Sequence, residues 1–164
     1  MRMLAVMVLV LVVAAAAVAA GVYYYRSPGS SGSSDCTDPD NISSHVYNPS
    51  RLQQVKACIT ASGTVDNVLS EADGDYHIRL SLDSQYSNLT NSANDQYQYG
   101  TLVVEVICAG TVTQADAMAP CQGYTNKITI PNINQHITVT GPYVLDTDHY
   151  GWAEIHPVYS LSVS

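Results

Sequence analysis

Phenylalanine is absent from this chain of 164 residues and tryptophan occurs once, whereas tyrosine occurs twelve times. Together with many Thr, Asn, Ser and Gln, that balance points away from a cytosolic helical protein and toward a polar, extracellular β-protein. Basic residues are scarce: six against fourteen acidic ones, a net charge of −8. Only Arg51, Lys56, Arg79 and Lys127 lie beyond residue 34. A surface so depleted of cations repels phosphate backbones and carries no basic stripe, which argues against nucleic acid as a partner. No C-x-x-C spacing is present, so the four cysteines do not read as a zinc site.

Charge is also missing from Met3 to Tyr25, a run of almost wholly apolar residues between Arg2 and Arg26. As a helix at ~1.5 Å per residue it would extend about 34 Å, enough to cross a hydrocarbon core of ~30 Å. Two readings compete for residues 1–26. A cleaved signal peptide would use Leu4 to Val13 as its apolar region, with a small-residue cleavage site near Ala17-Val18-Ala19 or Val18-Ala19-Ala20. An uncleaved membrane anchor accounts better for the apolar run continuing through Val22 and for Tyr23, Tyr24 and Tyr25 at the position of an interfacial belt. Residues 27–34, SPGSSGSS, form a flexible linker, and a tether favours the anchor. No cysteine follows closely enough for lipid attachment. Both readings place the remaining chain outside the cytoplasm.

That remainder is long enough for one domain with its own core. Residues 35–56 hold Pro39 and Pro49 and few core candidates, so they read as an irregular flap with one helical turn near Ser50 to Val55. The rest, 57–164, alternates as strands do. Strand one is predicted over Cys58–Val68 with a bend at Gly63, strand two over Tyr76–Asp83 and strand three over Thr101–Cys108. Between strands two and three, Ser84–Gly100 reads as an exposed polar excursion. A short helix is predicted over Thr113–Met118, with Thr113 and Asp116 at capping spacing. Ile137–Leu145 and Trp152–Val163 complete a hairpin. Strand, strand, strand, short helix, strand, strand is the element order of the OB-fold, so the fold class expected is all-β: a five-stranded OB-fold-like Greek-key barrel with a short helix between strands three and four, preceded by the N-terminal hydrophobic helix.

Four cysteines in an exported chain imply two disulfides. Cys36 and Cys58 bracket the flap, and Cys108 and Cys121 bracket the helical insertion; these local pairs are the expected bonds. Asn41-Ile42-Ser43 and Asn88-Leu89-Thr90 are glycosylation acceptor patterns in stretches read as surface.

Chemistry concentrates in two acidic turns, Glu71, Asp73 and Asp75 in one and Asp146, Asp148 and His149 in the other, which in an OB-fold flank the ligand face. Strand parity adds His77, Glu105, Glu154 and His156, the last two on one face. Acidic turns are by default solvated, and a strand His beside a strand Glu is by default a hydrogen-bonded pair. The same residue types also suit a divalent metal, which is the cofactor expected if the cluster is more than a solvated or structural one.

The stretches DGDYHIRL (Asp73 to Leu80), LVVEV (Leu102 to Val106) and TGPYVLDTDHYGWAEIHPV (Thr140 to Val158) resemble recurring blocks of a family of small, exported, uncharacterised OB-fold-like proteins of archaea and bacteria. The resemblance implies a shared polar site at Asp75, His77, Glu105, Asp146, His149, Glu154 and His156. The functional expectation is an extracytoplasmic binding module, membrane-tethered through its N-terminal segment or secreted. It would hold a small polar ligand, glycan or protein on the barrel face, with Tyr76, Tyr143, Tyr150 and Trp152 as an aromatic rim. The alternatives are a metal-dependent hydrolase, against which stands the lack of a cationic cluster, and a structural envelope component.

Overall fold

The computed structural model of the chain describes residues 36–164. The N-terminal segment 1–26 and the linker 27–34 lie outside the described residues. Among the described residues no helix is long and apolar enough to cross a membrane.

Among the described residues six strands carry the structure: β1 (Leu52–Ser70), β2 (Tyr76–Leu82), β3 (Leu102–Val106), β4 (His136–Asp146), β5 (Trp152–Ile155) and β6 (Ser160–Val163). Their hydrogen bonds close a ring in the order β1-β2-β3-β5-β4-β1, with β6 added outside on β4. All contacts are antiparallel except β3–β5, a short parallel one of Val103 with Glu154 and Val104 with Ile155. The ring is therefore uneven and mixed, and six strands stand where five were predicted.

The nineteen residues of β1 make the closure possible. Its first half pairs with β4 and its second with β2, and Gly63 lies at the change of partner, opposite both Ile137 and Leu82. A Cβ at Gly63 would run into the Ser81 carbonyl oxygen and approach Leu82 Cα at 2.9 Å. Only a glycine admits the neighbouring backbone at the bend. The expected strand Cys58–Val68 is thus extended at both ends, and the flap ends at Arg51. The flap itself is two short 3-10 segments, Pro39–His45 and Pro49–Arg51, rather than a turn over Ser50 to Val55.

The hairpin's second run is not one strand. It breaks after Ile155, and the two pieces lie along different halves of β4: β5 on Tyr143–Asp146, β6 on Ile137–Thr140. Pro157, which has no N–H to give a ladder, sits in the gap.

Period-two alternation fills the ring. Ala61, Val65, Ile78, Leu80, Leu102, Val104, Val106, Ile137, Val139, Ala153, Ile155 and Val158 form one buried aliphatic cluster. His77, Glu105 and Glu154, of opposite parity to this cluster, stand on the outer face of β2, β3 and β5. Yet every residue of β3 is buried. The outer face is covered too: Ile42 and Val46 of the flap pack on Ile107 at one end.

The other cover is the segment Ser84–Gly100, which is exposed over most of its residues as expected but is helical and turns Leu89, Asn94 and Gln98 inward. It forms a 3-10 segment, Ser84–Leu89, and helix α1, Ser92–Tyr97, closed by a reciprocal capping box between Asn91 and Asn94. The Asn94 amide donates to the carbonyls of Thr101 (2.9 Å) and Ala153 (3.0 Å) and accepts from Ala153 N (2.8 Å), binding α1 to the residue that leads into β3 and to β5. Its polar composition serves both sides: Asn94 and Gln98 are buried against the strands, while residues such as Gln85, Asn88, Asp95 and Gln96 remain exposed to water.

The predicted helix Thr113–Met118 is displaced. A 3-10 turn, Ala115–Ala117, leads into α2, Met118–Cys121. Asp116 accepts from the Tyr47 hydroxyl at 2.6 Å and caps nothing. Pro120 lies within α2's first turn, where a missing N–H costs no intrahelical bond. The two disulfides join Cys36 to Cys58 and Cys108 to Cys121, with Cα separations of 5.8 and 5.4 Å. Such bonds fit an oxidising, extracytoplasmic compartment.

Gly63→Ala is expected to destabilise the protein by about 1–3 kcal/mol, because the clash is with backbone that cannot swing aside. Urea unfolding of the variant against the parent measures it, and an unchanged midpoint would show that β1 closes the ring without needing a glycine.

Candidate functional site

Between the flap and α1 the outer face retains an open cleft of about 140 Å³. It is lined by Arg51, Glu71, His77, Arg79, Gln98, Glu105, Asp146, His149, Trp152 and Glu154, with Leu69 as the apolar member.

Its centre is a cross-strand pair. His77 and Glu105 are opposite in register, and His77 Nδ1 lies 2.8 Å from Glu105 Oε1. His77 Nε2 lies 3.0 Å from Gln98 Oε1, which also accepts from Arg79 Nε at 2.9 Å. Since arginine can only donate, that Gln98 atom is an acceptor, so Nε2 carries a proton; the Glu105 carboxylate requires one on Nδ1 as well. His77 is therefore an imidazolium. Burial disfavours the charge, but the hydrogen bond and negative charge of Glu105 outweigh it and push the His77 pKa up to about 9. Glu71 approaches the same ring nitrogen at 3.9 Å, and its own pKa is raised by burial and by the negative charge of Glu105.

A second chain of contacts runs along β5. Glu154 and His156 are both buried, with His156 Nδ1 3.0 Å from Glu154 Oε2. The Trp152 indole N–H donates to Glu154 Oε1. Burial opposes a charge on His156, while the Glu154 hydrogen bond and charge raise its pKa above the ordinary histidine value. The Trp152 ring faces His149 in a parallel stack with centroids 4.7 Å apart and meets His77 edge-on at 6.1 Å. His149 Nδ1 lies 2.9 Å from Asp146 Oδ2, and Asp146 caps the Thr147–His149 turn through the N–H groups of Asp148 and His149. Arg51 Nε closes the wall at 3.0 Å from Asp146.

Of the predicted site residues, His77, Glu105, Asp146, His149 and Glu154 line this cleft, and His156 lies behind it on Glu154. Asp75 does not line it. Its carboxylate accepts from Cys108 N at 2.8 Å beside the Cys108–Cys121 disulfide, where burial and then the Asp73 charge push its pKa up to about 7. Tyr76 and Tyr143 are corrected from the rim to the barrel, packing against the aliphatic core, with the Tyr143 hydroxyl donating to Leu89 O at 2.9 Å. Trp152 of the predicted rim lines the cleft, whereas Tyr150, stacked on Tyr97 at 4.1 Å, and Tyr99, over the Arg79 guanidinium at 4.7 Å, lie outside its lining. Sequence reasoning missed Gln98, Tyr97 and Tyr99 because all three lie in the segment read as an excursion. It left Arg51 in a flap with no assigned contact. The spacing of Asn91 and Asn94 was the one signal for α1.

No protein-family model matches the chain, and no curated protein matches its sequence.

Because the His77 pKa is raised from 6.5 to about 9, its pairing stabilises the folded state fully below pH 6.5 and is lost as pH rises toward 9. Unfolding free energy should fall across that window by on the order of 3 kcal/mol. His77→Gln should remove most of that slope while lowering stability at pH 6. Denaturant titrations at stepped pH check both, and an unaltered slope in the variant would refute the imidazolium.

Proposed function

We propose that this protein is an extracytoplasmic binding module of OB-fold-like architecture, tethered to the membrane by its N-terminal segment or secreted, that holds a small hydroxyl-bearing ligand such as a glycan end in the outer-face cleft. The ring order with its parallel β3–β5 contact supports the architecture. The observation that carries the ligand class is the Trp152 indole set among fixed polar groups in one small opening, with exposed tyrosines against or next to its lining residues. Tyr99 and Tyr150 are 78% and 72% exposed, far more than a packed aromatic needs. Tyr99 lies over the guanidinium of Arg79 and Tyr150 follows His149, and both Arg79 and His149 line the cleft, whose carboxylates accept hydrogen bonds and whose arginines donate them. Aromatic faces beside paired acceptors and donors suit sugars, which present C–H faces and hydroxyl edges to one partner. A volume of about 140 Å³ is below that of drug-sized pockets, so one small polar group enters and the remainder rests on the tyrosines.

A structural envelope role would leave those exposed rings and the open cleft without purpose. The two disulfides are in keeping with exposure to an oxidising environment.

Trp152 is the one tryptophan and forms part of the cleft wall, so its emission reports the site directly. Titrating purified full-length protein with a panel of mono- and oligosaccharides should give a saturable change in emission for at least one class. Tyr99→Ala combined with Tyr150→Ala should weaken that binding about tenfold, the loss expected from roughly 1.4 kcal/mol of stacking. A panel that leaves Trp152 emission flat, or binding indifferent to both tyrosines, would defeat the proposal.

A further inference from the structure

Among the described residues β6 is an edge strand with one side unpaired. The Ser164 N–H donates to His136 O at 3.0 Å, and Ser162 and Ser160 follow in register on Thr138 and Thr140, so the even-numbered residues direct their backbone groups to β4. Leu161 and Val163 therefore turn their N–H and C=O groups away from β4, where no described strand or side chain takes them. Natural edges are commonly blunted by a charge or a proline, and Ser160–Val163 holds neither.

A second unpaired stretch lies nearby. Residues 127–130 alternate as a strand does, with Ile128 and Ile130 packed against the core and Lys127 and Thr129 exposed. Yet they join no ladder, and their one backbone hydrogen bond runs from Ile128 N to the Asn126 side chain at 3.0 Å. Residues 127–129 and β6 line one groove of about 540 Å³, together with Tyr124, Tyr159 and, from the flap, Ile42. Two backbones with unused donors and acceptors thus border the same space. None of its lining residues belongs to the cleft at His77 and Glu105.

We infer that this groove takes up one extended segment of a partner protein, about four residues long, as an added strand on β6. Backbone pairing with Leu161 and Val163 attaches it, and the period of two selects it: side chains of one parity enter among Ile42, Tyr124, Ile128 and Tyr159 and are apolar, while the others face water. The flap and residues 127–129 border the groove as well as β6, which suits a lone strand and not the edge of a second folded sheet, since that edge arrives with its own neighbours. Charge sets what flanks the segment. Four basic residues stand against fourteen acidic ones beyond the linker, and Lys127 is already paired with Asp40 at 3.5 Å, so a segment bordered by Lys or Arg is attracted and an acidic one repelled.

The probe is a capped, dye-labelled peptide in which valines alternate with threonines between terminal lysines, titrated into purified full-length protein by fluorescence anisotropy, with backbone amide exchange followed by NMR. Saturable binding of one equivalent is expected, with the Leu161 and Val163 amides protected from exchange only while peptide is present. Val163→Pro removes an outward N–H without touching the pairing on β4 and should weaken binding about tenfold. If that variant does not fold, the same peptide N-methylated throughout decides on the native chain, where it should bind at least tenfold more weakly. Tyr99→Ala with Tyr150→Ala lies outside the groove and should leave peptide binding unchanged. Flat anisotropy, or binding indifferent to N-methylation and to Val163→Pro, overturns the proposal. Protection of Leu161 and Val163 without peptide overturns it as well: in a monomer it assigns the edge to the chain's own N-terminal segment, and in a dimer abolished by Val163→Pro it assigns the edge to a second copy.

Discussion

His77 and Glu105 face each other across β2 and β3, and much of the outer face is arranged so that neither charge is left alone. Gln98 accepts from the second His77 nitrogen, Arg79 braces Gln98, and Asn94 fastens the helix just before Gln98 to the strand backbones. Removing a partner from such a chain exposes a buried charge at a cost of several kcal/mol. Yet a well-packed pair of aliphatic residues at the same positions would be at least as stable, because desolvating two ions consumes most of their attraction. Val103, one register step away from Glu105 on the same face, shows that the sheet accommodates such residues there. The pair is thus poorly explained by stability, which is the physical reason for looking to ligand chemistry in this cleft.

Rigidity of the cleft comes from how many parts of the chain meet at Asp146. Its carboxylate is 1% exposed and takes Arg51, His149 and two backbone N–H groups. Arg51 thereby binds the end of the flap to the β4–β5 connection, and its guanidinium also donates to Tyr47 O at 3.0 Å. The Cys36–Cys58 bond holds the beginning of the same flap to β1. Anchored at both ends, the flap keeps Ile42 and Val46 on Ile107, and on the same outer face the Glu105 and Glu154 carboxylates stay buried. There each hydrogen bond is electrostatically stronger than it would be at the surface.

Strand parity made part of this legible in the sequence. Ile78 and Leu80 against His77 and Arg79, and Ala153 and Ile155 against Glu154, give the two faces without any structure, and the cysteine spacing gave both disulfide pairs. What parity does not reveal is which side of a strand is covered. The segment Ser84–Gly100 is polar by composition whether its amides meet water or strand carbonyls, so Asn94 and Gln98 were indistinguishable from solvated residues. Tyr76 and Tyr143 failed for the complementary reason: a tyrosine can bury its ring in the core and still satisfy its hydroxyl, as Tyr143 does on Leu89 O. The split of the last run into β5 and β6 needed the position of Pro157 to be weighed against an otherwise unbroken β pattern.

Charge then narrows what the cleft accepts. Of the four basic residues beyond the linker, Arg51 and Arg79 line it, while Lys127 pairs with Asp40 at the surface, 3.5 Å away. A chain so poor in cations has placed two of its four where carboxylates are densest. With the His77 imidazolium they stand against Glu71, Glu105, Asp146 and Glu154, three positive groups facing four acidic ones in a space of about 140 Å³. An incoming anion would meet arginines already engaged by Asp146 and Gln98 and carboxylates that repel it. A neutral hydroxyl loses little on desolvation and can donate to the carboxylate oxygens, and a dication finds the residual negative charge. The electrostatics therefore favour neutral polar and cationic occupants, and disfavour anionic ones such as phosphoesters.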